Sequence, residues 1–388
     1  MSDSVQDNSS EAKPFDEALM CGGADARAEL ARQLATFISE RAESSPQRQD
    51  AVANLIKLAS DPIFEVRRST AEFLSVVTPL EPELMFTIVA DEDEIALPFV
   101  TKSPAFDLPR MLAVLKLGDM VRQVHLAARH DLFCQCADYI VQRTDWPACA
   151  ALLDNPEFEP CEADYRALYR RFQDRPQIME RLLARDDLPL DIRILQAKHA
   201  SRRIQDYLHA AAFSTADPSE LLADAEESAT LHVLVQASEA ELDKAISFLL
   251  TRRMLTPSLL VRAALNGAMH VVEHSLAVLS GIPVKRLQRL FYERGPVSIK
   301  AIFNRCRLPT ACVRLIQAAR EVERLARRSG EDVSSDQFGV RTIEKIVTGC
   351  GDIGLHEKMR LLDLVENFGP ERARIVAARL KSNLAQAA

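Results

Sequence analysis

Glycine and aromatic residues are scarce in this chain. Twelve glycines, 6% aromatics and one tryptophan leave few turn-formers and few flat rings, which argues against a sheet-rich fold. Long apolar runs are missing too. Nothing approaches the roughly 20 consecutive apolar residues that a membrane helix needs, so no membrane insertion is expected. The opening Met-Ser-Asp-Ser-Val-Gln-Asp-Asn-Ser-Ser has no basic stretch followed by an apolar one and does not read as a secretory leader. The expected compartment is the cytoplasm. The eight cysteines, at 21, 134, 136, 149, 161, 306, 312 and 350, follow no regular spacing. They read as reduced, packed thiols rather than a disulfide framework.

What is present is helix-forming. Hydrophobic residues make up 47% of the 388, enough for a sizeable core, and long stretches of Ala, Leu, Arg and Glu favour helix. The chain is expected to be all-α.

The most informative stretch runs from Leu58 to Leu74. Leu55, Ile56 and Leu58 close one apolar face. Asp61 offers a carboxylate to the next helix and Pro62 suits its first position. Val66, Thr70, Phe73, Leu74 and Val77 then recur at spacings of three and four, the signature of one buried helical stripe. Arg67 and Arg68 flank the corner. Similar corners recur at Ala128–Leu132, Leu153–Pro156 and Ala184–Leu188, roughly 25 to 40 residues apart, which is the spacing of stacked helical hairpins. The acidic run Asp91-Glu92-Asp93-Glu94 lacks the glycine and distal glutamate of a calcium loop and reads as another solvated corner.

Four segments follow from this reading. Residues 1–23 form a disordered acidic tail and residues 24–215 the helical repeats. Residues 216–330, entered at Ala216-Asp217-Pro218-Ser219, form a C-terminal helical domain. Residues 331–388 hold a linker and terminal helices. Helices are predicted near Asp25–Arg41, from Pro218, Glu239, Pro257 and Ala268, over Val284–Tyr292 and from Thr310 to about Arg328.

Charge is unevenly spread over the net −8. Residues 1–100 hold 19 acidic and 8 basic residues, while residues 285–328 hold 12 basic and 3 acidic. The candidate interaction residues are therefore Arg67 and Arg68 at the corner, Lys285, Arg286, Arg289 and Arg294 on one basic stretch, and Arg314, Arg320, Arg324, Arg327 and Arg328 on another. Such a surface suits an acidic protein partner, with nucleic acid as the alternative. The sequence pI of about 5.6 and the single tryptophan weigh against nucleic acid.

Two resemblances sharpen this picture. Asp61-Pro62, three residues, Val66-Arg67, then Ala71 and Leu74 resembles a HEAT repeat, which implies that the arginine bridges to an acidic corner of a neighbouring repeat. More widely, Leu58–Leu74 with Ile95–Val100 and Ser103-Pro104 is similar to the bacterial domain-of-unknown-function family 2336. So are Ala264–Gly267, Leu279–Pro283, Arg294–Pro296, Ala301–Phe303 and Arg307–Pro309. The likeness covers roughly residues 50–320. It implies a HEAT-like α-solenoid followed by a C-terminal helical domain, and it supplies no catalytic residues.

Few motifs carry chemistry. His270-Val271-Val272-Glu273-His274 matches the H-x-x-E-H of one zinc peptidase class, with two histidines on one helical face and a glutamate to activate water. A third ligand is missing downstream, and packing of Val271, Val272, Leu276 and Leu279 is the competing role. Gly349-Cys350-Gly351-Asp352-Ile353-Gly354 is a literal G-x-G-x-x-G, but it follows a helix-spaced Ile343, Ile346 and Val347 rather than a buried strand. Cys134-Gln135-Cys136 lacks a second pair. No nucleophile elbow or P-loop occurs. The expectation is a non-enzymatic scaffold or adaptor without cofactor or metal, with a nucleic-acid-binding protein as the alternative. A zinc hydrolase at His270, Glu273 and His274 is the third reading.

Overall fold

The structure, a computed structural model, describes residues 22–42, 44–210, 218–293, 296–331, 333–348 and 354–386. The tail at 1–21, Ala216 and Asp217, Arg294 and Gly349–Ile353 lie outside the described residues. Among those described there are only helices, 22 of them, and no strand. The chain forms two compact units, Met1–Asp187 and Leu188–Ala388. The boundary expected at Ala216–Ser219 thus falls inside the second unit, between helices Leu190–Ala210 and Pro218–Val235, which pack on each other.

In the first unit most helices pack on the next or on the one after that. Helix α1 (Ala24–Glu40) meets α2 (Pro46–Ala59) and α3 (Phe64–Leu74), and α3 meets α5 (Asp93–Lys102), beside α4 (Pro82–Val89). The pattern continues to Pro176–Leu183. This is stacking of successive hairpins, the arrangement a repeat array requires. Local sequence explains the helix starts. Pro46, Pro82, Pro109, Pro147 and Pro176 each occupy a first-turn position, where a missing N–H leaves no bond unmade. Asp107 and Asp119 accept from the N–H groups of Arg110 and Arg122 at 3.0 Å. The stripe read from the sequence is buried at Val66, Thr70, Leu74 and Val77, with Phe73 half-buried. Asp61 acts differently from the expectation. The helix starts only at Phe64, and the Asp61 carboxylate accepts from the Ile63 N–H at 2.8 Å and pairs with Arg27 at 3.3 Å. It closes the turn before the helix rather than capping it.

Helix C-termini are closed from a distance by guanidinium groups. The last carbonyls of a helix have no partner within it, and cations are favoured there by the helix dipole. Arg48, 1% exposed, donates to the carbonyls of Ile38 and Arg41 at the end of α1 and to Pro79 at 2.7 Å. Arg122 donates to Val89 and Asp91 at the end of α4. Arg129, 2% exposed, donates to Val100 and Ser103 at the end of α5. Arg171 does the same at Val141 and Thr144, and Asn155 at Ala127 and Arg129. Arg67 shows the bridge implied by the HEAT resemblance, reaching Asp91 at 2.9 Å and Glu92 at 2.7 Å while donating to the Asp61 carbonyl.

The second unit has one continuous core from Leu190 to Ala377. It includes Phe338, Ile343, Leu361, Leu362, Val365 and Ala373, so the three terminal helices Ser335–Thr348, Leu355–Phe368 and Glu371–Gln386 contribute to it. The long helix Thr310–Ser329 ends at Gly330, whose φ of +65° glycine adopts without a Cβ penalty.

Removing Arg129 leaves the Val100 and Ser103 carbonyls buried without a donor. Arg129→Ala is expected to lower unfolding stability by about 3 kcal/mol in urea titration, with Arg129→Lys recovering only part because an ammonium cannot fork between both carbonyls.

Candidate interaction surfaces

The arginines named from sequence separate into two groups once their partners are known. Arg67 is taken up in the corner network described above. On Thr310–Ser329, Arg314 pairs with Glu357 at 3.1 Å, and Arg320 pairs with Glu321 and donates to the Phe291 carbonyl at 2.8 Å. Arg324 pairs with Glu321 at 2.8 Å. Arg327 pairs with Glu323 at 2.6 Å and with Glu273 at 3.2 Å. These side chains serve as internal ties, and the lopsided count of bases over acids overstated the free positive charge. Arg294 lies outside the described residues.

The second group is exposed. Lys285, Arg286 and Arg289 stand on Val284–Tyr292, a strongly amphipathic helix whose Leu287 and Phe291 are fully buried. Spacings of three and four put the three cations along one side. Arg328, also exposed, belongs to the neighbouring helix. None of the four has an ion-pair partner among the described residues.

In the first unit, Arg68 lines a groove of about 240 Å³ with Glu72, Glu94, Ile95, Pro98 and Lys102. Pro98 lies inside α5, so the Glu94 carbonyl lacks its usual donor four residues on. Lys102 was not named from sequence, while Glu94 was read only as part of a solvated acidic corner and Pro98 only as part of the family-like Ile95–Val100 segment. A proline inside an otherwise helical pattern was the available signal.

The H-x-x-E-H segment is built into the fold. Glu273, 1% exposed, accepts from Gln288 at 2.8 Å on one oxygen and from Tyr292 at 2.6 Å and Arg327 at 3.2 Å on the other. It thereby ties three helices together, and the Arg327 guanidinium lies over the Tyr292 ring at 4.4 Å. His274, also buried, donates from Nδ1 to Asp243 at 2.6 Å. Both Glu273 oxygens are thus engaged by side chains of the fold. Among the described residues no three His, Cys, Asp or Glu side chains are grouped to hold a metal ion. Burial pushes the Tyr292 hydroxyl far above its ordinary value, and the neighbouring Glu273 charge adds to the effect. Burial also lowers His270. Cys134 is exposed and Cys136 buried, two residues apart and on different sides of their helix.

The fold defines a class, an all-helical protein of stacked hairpins with a second helical unit. No described helix is long and apolar enough to cross a membrane. The family described as uncharacterised protein conserved in bacteria, domain-of-unknown-function family 2336, matches residues 95–356, and the chain belongs to it. Comparison with curated proteins gave no match.

His270 supplies an acid-sensitivity test. Its folded pKa lies below the ordinary 6.5, so the unfolded chain takes up a proton first as pH falls. The stability involved is present above about pH 6.5 and is lost as pH drops through the folded value. His270→Gln should flatten the decline in unfolding free energy as pH falls below about 6.5. An unchanged slope would locate the sensitivity in other groups.

Proposed function

We propose that the protein is a non-enzymatic interaction scaffold that holds an acidic protein partner through the Lys285, Arg286 and Arg289 face, with Arg328 as a further exposed cation. The observation that carries this reading is the contrast between cations. The arginines turned inward meet carboxylates or helix carbonyls, whereas these four are exposed without one. An exposed charge without an internal partner does little for folding, but it steers and orients an oppositely charged surface. The helix bearing three of them is anchored by Leu287 and Phe291 and tied through Gln288 and Tyr292 to Glu273. The face is therefore held in a fixed geometry, which lowers the ordering cost of binding.

The groove at Arg68 and Lys102 is a second contact on the stacked hairpins. It mixes both charge signs over an apolar floor at Ile95 and Phe99, which suits a short segment of a partner chain better than a uniformly charged polymer.

The test is affinity purification of tagged protein from its native cells after nuclease treatment, in parallel with Lys285→Glu/Arg286→Glu/Arg289→Glu. A protein partner recovered with the parent chain and depleted about tenfold or more with the triple variant is the expected result. Material that vanishes on nuclease treatment, and whose affinity falls steeply with salt, would replace this reading with nucleic-acid binding.

A further inference from the structure

The second unit contains a cleft of about 670 Å³, within the usual range for small-molecule sites. It is separate from the cationic face above and does not depend on the scaffold reading. Its wall combines Ser228 and His232 on Pro218–Val235, Arg262 and Asn266 at the end of the core helix Pro257–Leu265, Ser335, and Arg374. The turn Gly369-Pro370 and Glu371 complete it, where the helix Glu371–Gln386 begins.

The two arginines play different parts. Arg262 is 3% exposed, pairs with Asp224 and lies over the Phe368 ring at 5.4 Å. Its Nε is buried without a hydrogen-bond partner, the Glu227 carboxylate standing 3.9 Å away. Arg374 is half-buried and donates from Nε to the Gly369 carbonyl at 2.6 Å. It has no carboxylate partner among the described residues, so the two terminal nitrogens of its guanidinium are available. That carbonyl bond directs the side chain along the turn that opens the helix. The first N–H groups of the same helix have no acceptor within it and carry the positive end of its dipole.

The turn itself is held by close packing. A Cβ on Gly339 would come within 2.9 Å of Pro370 Cγ and Ala373 Cβ, so only glycine lets the helix start lie this near. Leu231 and Val235, the latter 44% exposed, also line the cleft and add apolar surface. Asn266 is already committed, donating to the Arg262 carbonyl and accepting from Ser335. It fixes Ser335 at the cleft edge.

We propose that this cleft binds a small phosphorylated organic molecule. The phosphate is held by Arg374 and the first N–H groups of the Glu371–Gln386 helix, with Ser228 and His232 as further donors and the organic body against Leu231 and Val235. A tetrahedral dianion accepts from several directions at once, which matches separate donors on different helices. The volume exceeds what phosphate alone fills, hence the organic body. Glu371 is the one opposing charge on this wall that has no cation partner among the described residues.

Titration calorimetry of the full chain at constant pH and ionic strength tests the proposal, with inorganic phosphate as the first probe and ribose 5-phosphate as the second. Saturable binding to one site is expected, tighter for the sugar phosphate. Arg374→Ala should weaken it about tenfold or more, Glu371→Gln should tighten it, and Lys285→Ala/Arg286→Ala/Arg289→Ala should leave it unchanged. Glu371 is exposed and its change conserves shape, so this arm stands even where Arg374→Ala does not fold. A response that never saturates, equal affinities in both single variants and the parent, or equal loss in the triple variant would overturn the proposal.

Discussion

A guanidinium group set against the open end of a helix is the interaction on which this molecule depends. Short helices, many of only eight to eleven residues in the first unit, leave a large share of their carbonyls without an internal donor. With so few glycines, left-handed caps cannot close them all. Arg48, from the very next helix, and Arg122, Arg129 and Arg171, from later hairpins, do so instead. Because the bonds of Arg122, Arg129 and Arg171 span about thirty residues of sequence, the same contact that satisfies a carbonyl also fixes the register of one hairpin on another. A buried arginine is costly unless most of its donors are used, and the forked shape of the group lets it serve two carbonyls and a carboxylate together.

That device changes the meaning of positive charge in this chain. Counted along the sequence, residues 285–328 are strongly basic. Counted in space, Arg314, Arg320, Arg324 and Arg327 are matched by Glu357, Glu321, Glu323 and Glu273. What stays unmatched includes Lys285, Arg286 and Arg289 on the outer side of one amphipathic helix, with Lys300, Arg305, Arg307 and Arg328 exposed on other segments. The conclusion about partners rests on this residue of charge after internal pairing, not on composition.

The buried Glu273 shows how a motif is overtaken by its surroundings. A five-residue match to a zinc peptidase pattern has the right residues on the right helical face. In the fold the carboxylate sits under Gln288, Tyr292 and Arg327, where it holds three helices together. Short motifs specify spacing, whereas chemistry also requires free coordination and access, and those are properties of neighbours distant in sequence.

The sequence by itself determined the helical class, most helix positions and the corner at Asp61–Arg67, because helix periodicity, proline at first turns and acidic caps act within a few residues. The family likeness was legible for the same reason, resting on short structural motifs. The unit boundary at Asp187, the packing of the last three helices into one core, the fate of each arginine and the cleft at Arg374 were decided only by the tertiary structure. Each depends on contacts between residues tens of positions apart, where an arginine that caps a carbonyl and one that faces solvent carry the same letter. The lone Arg262 within Leu259-Leu260-Val261-Arg262-Ala263-Ala264-Leu265 was a visible anomaly, but its partners Asp224 and Phe368 come from helices on either side of it in the chain. No local pattern could have joined them.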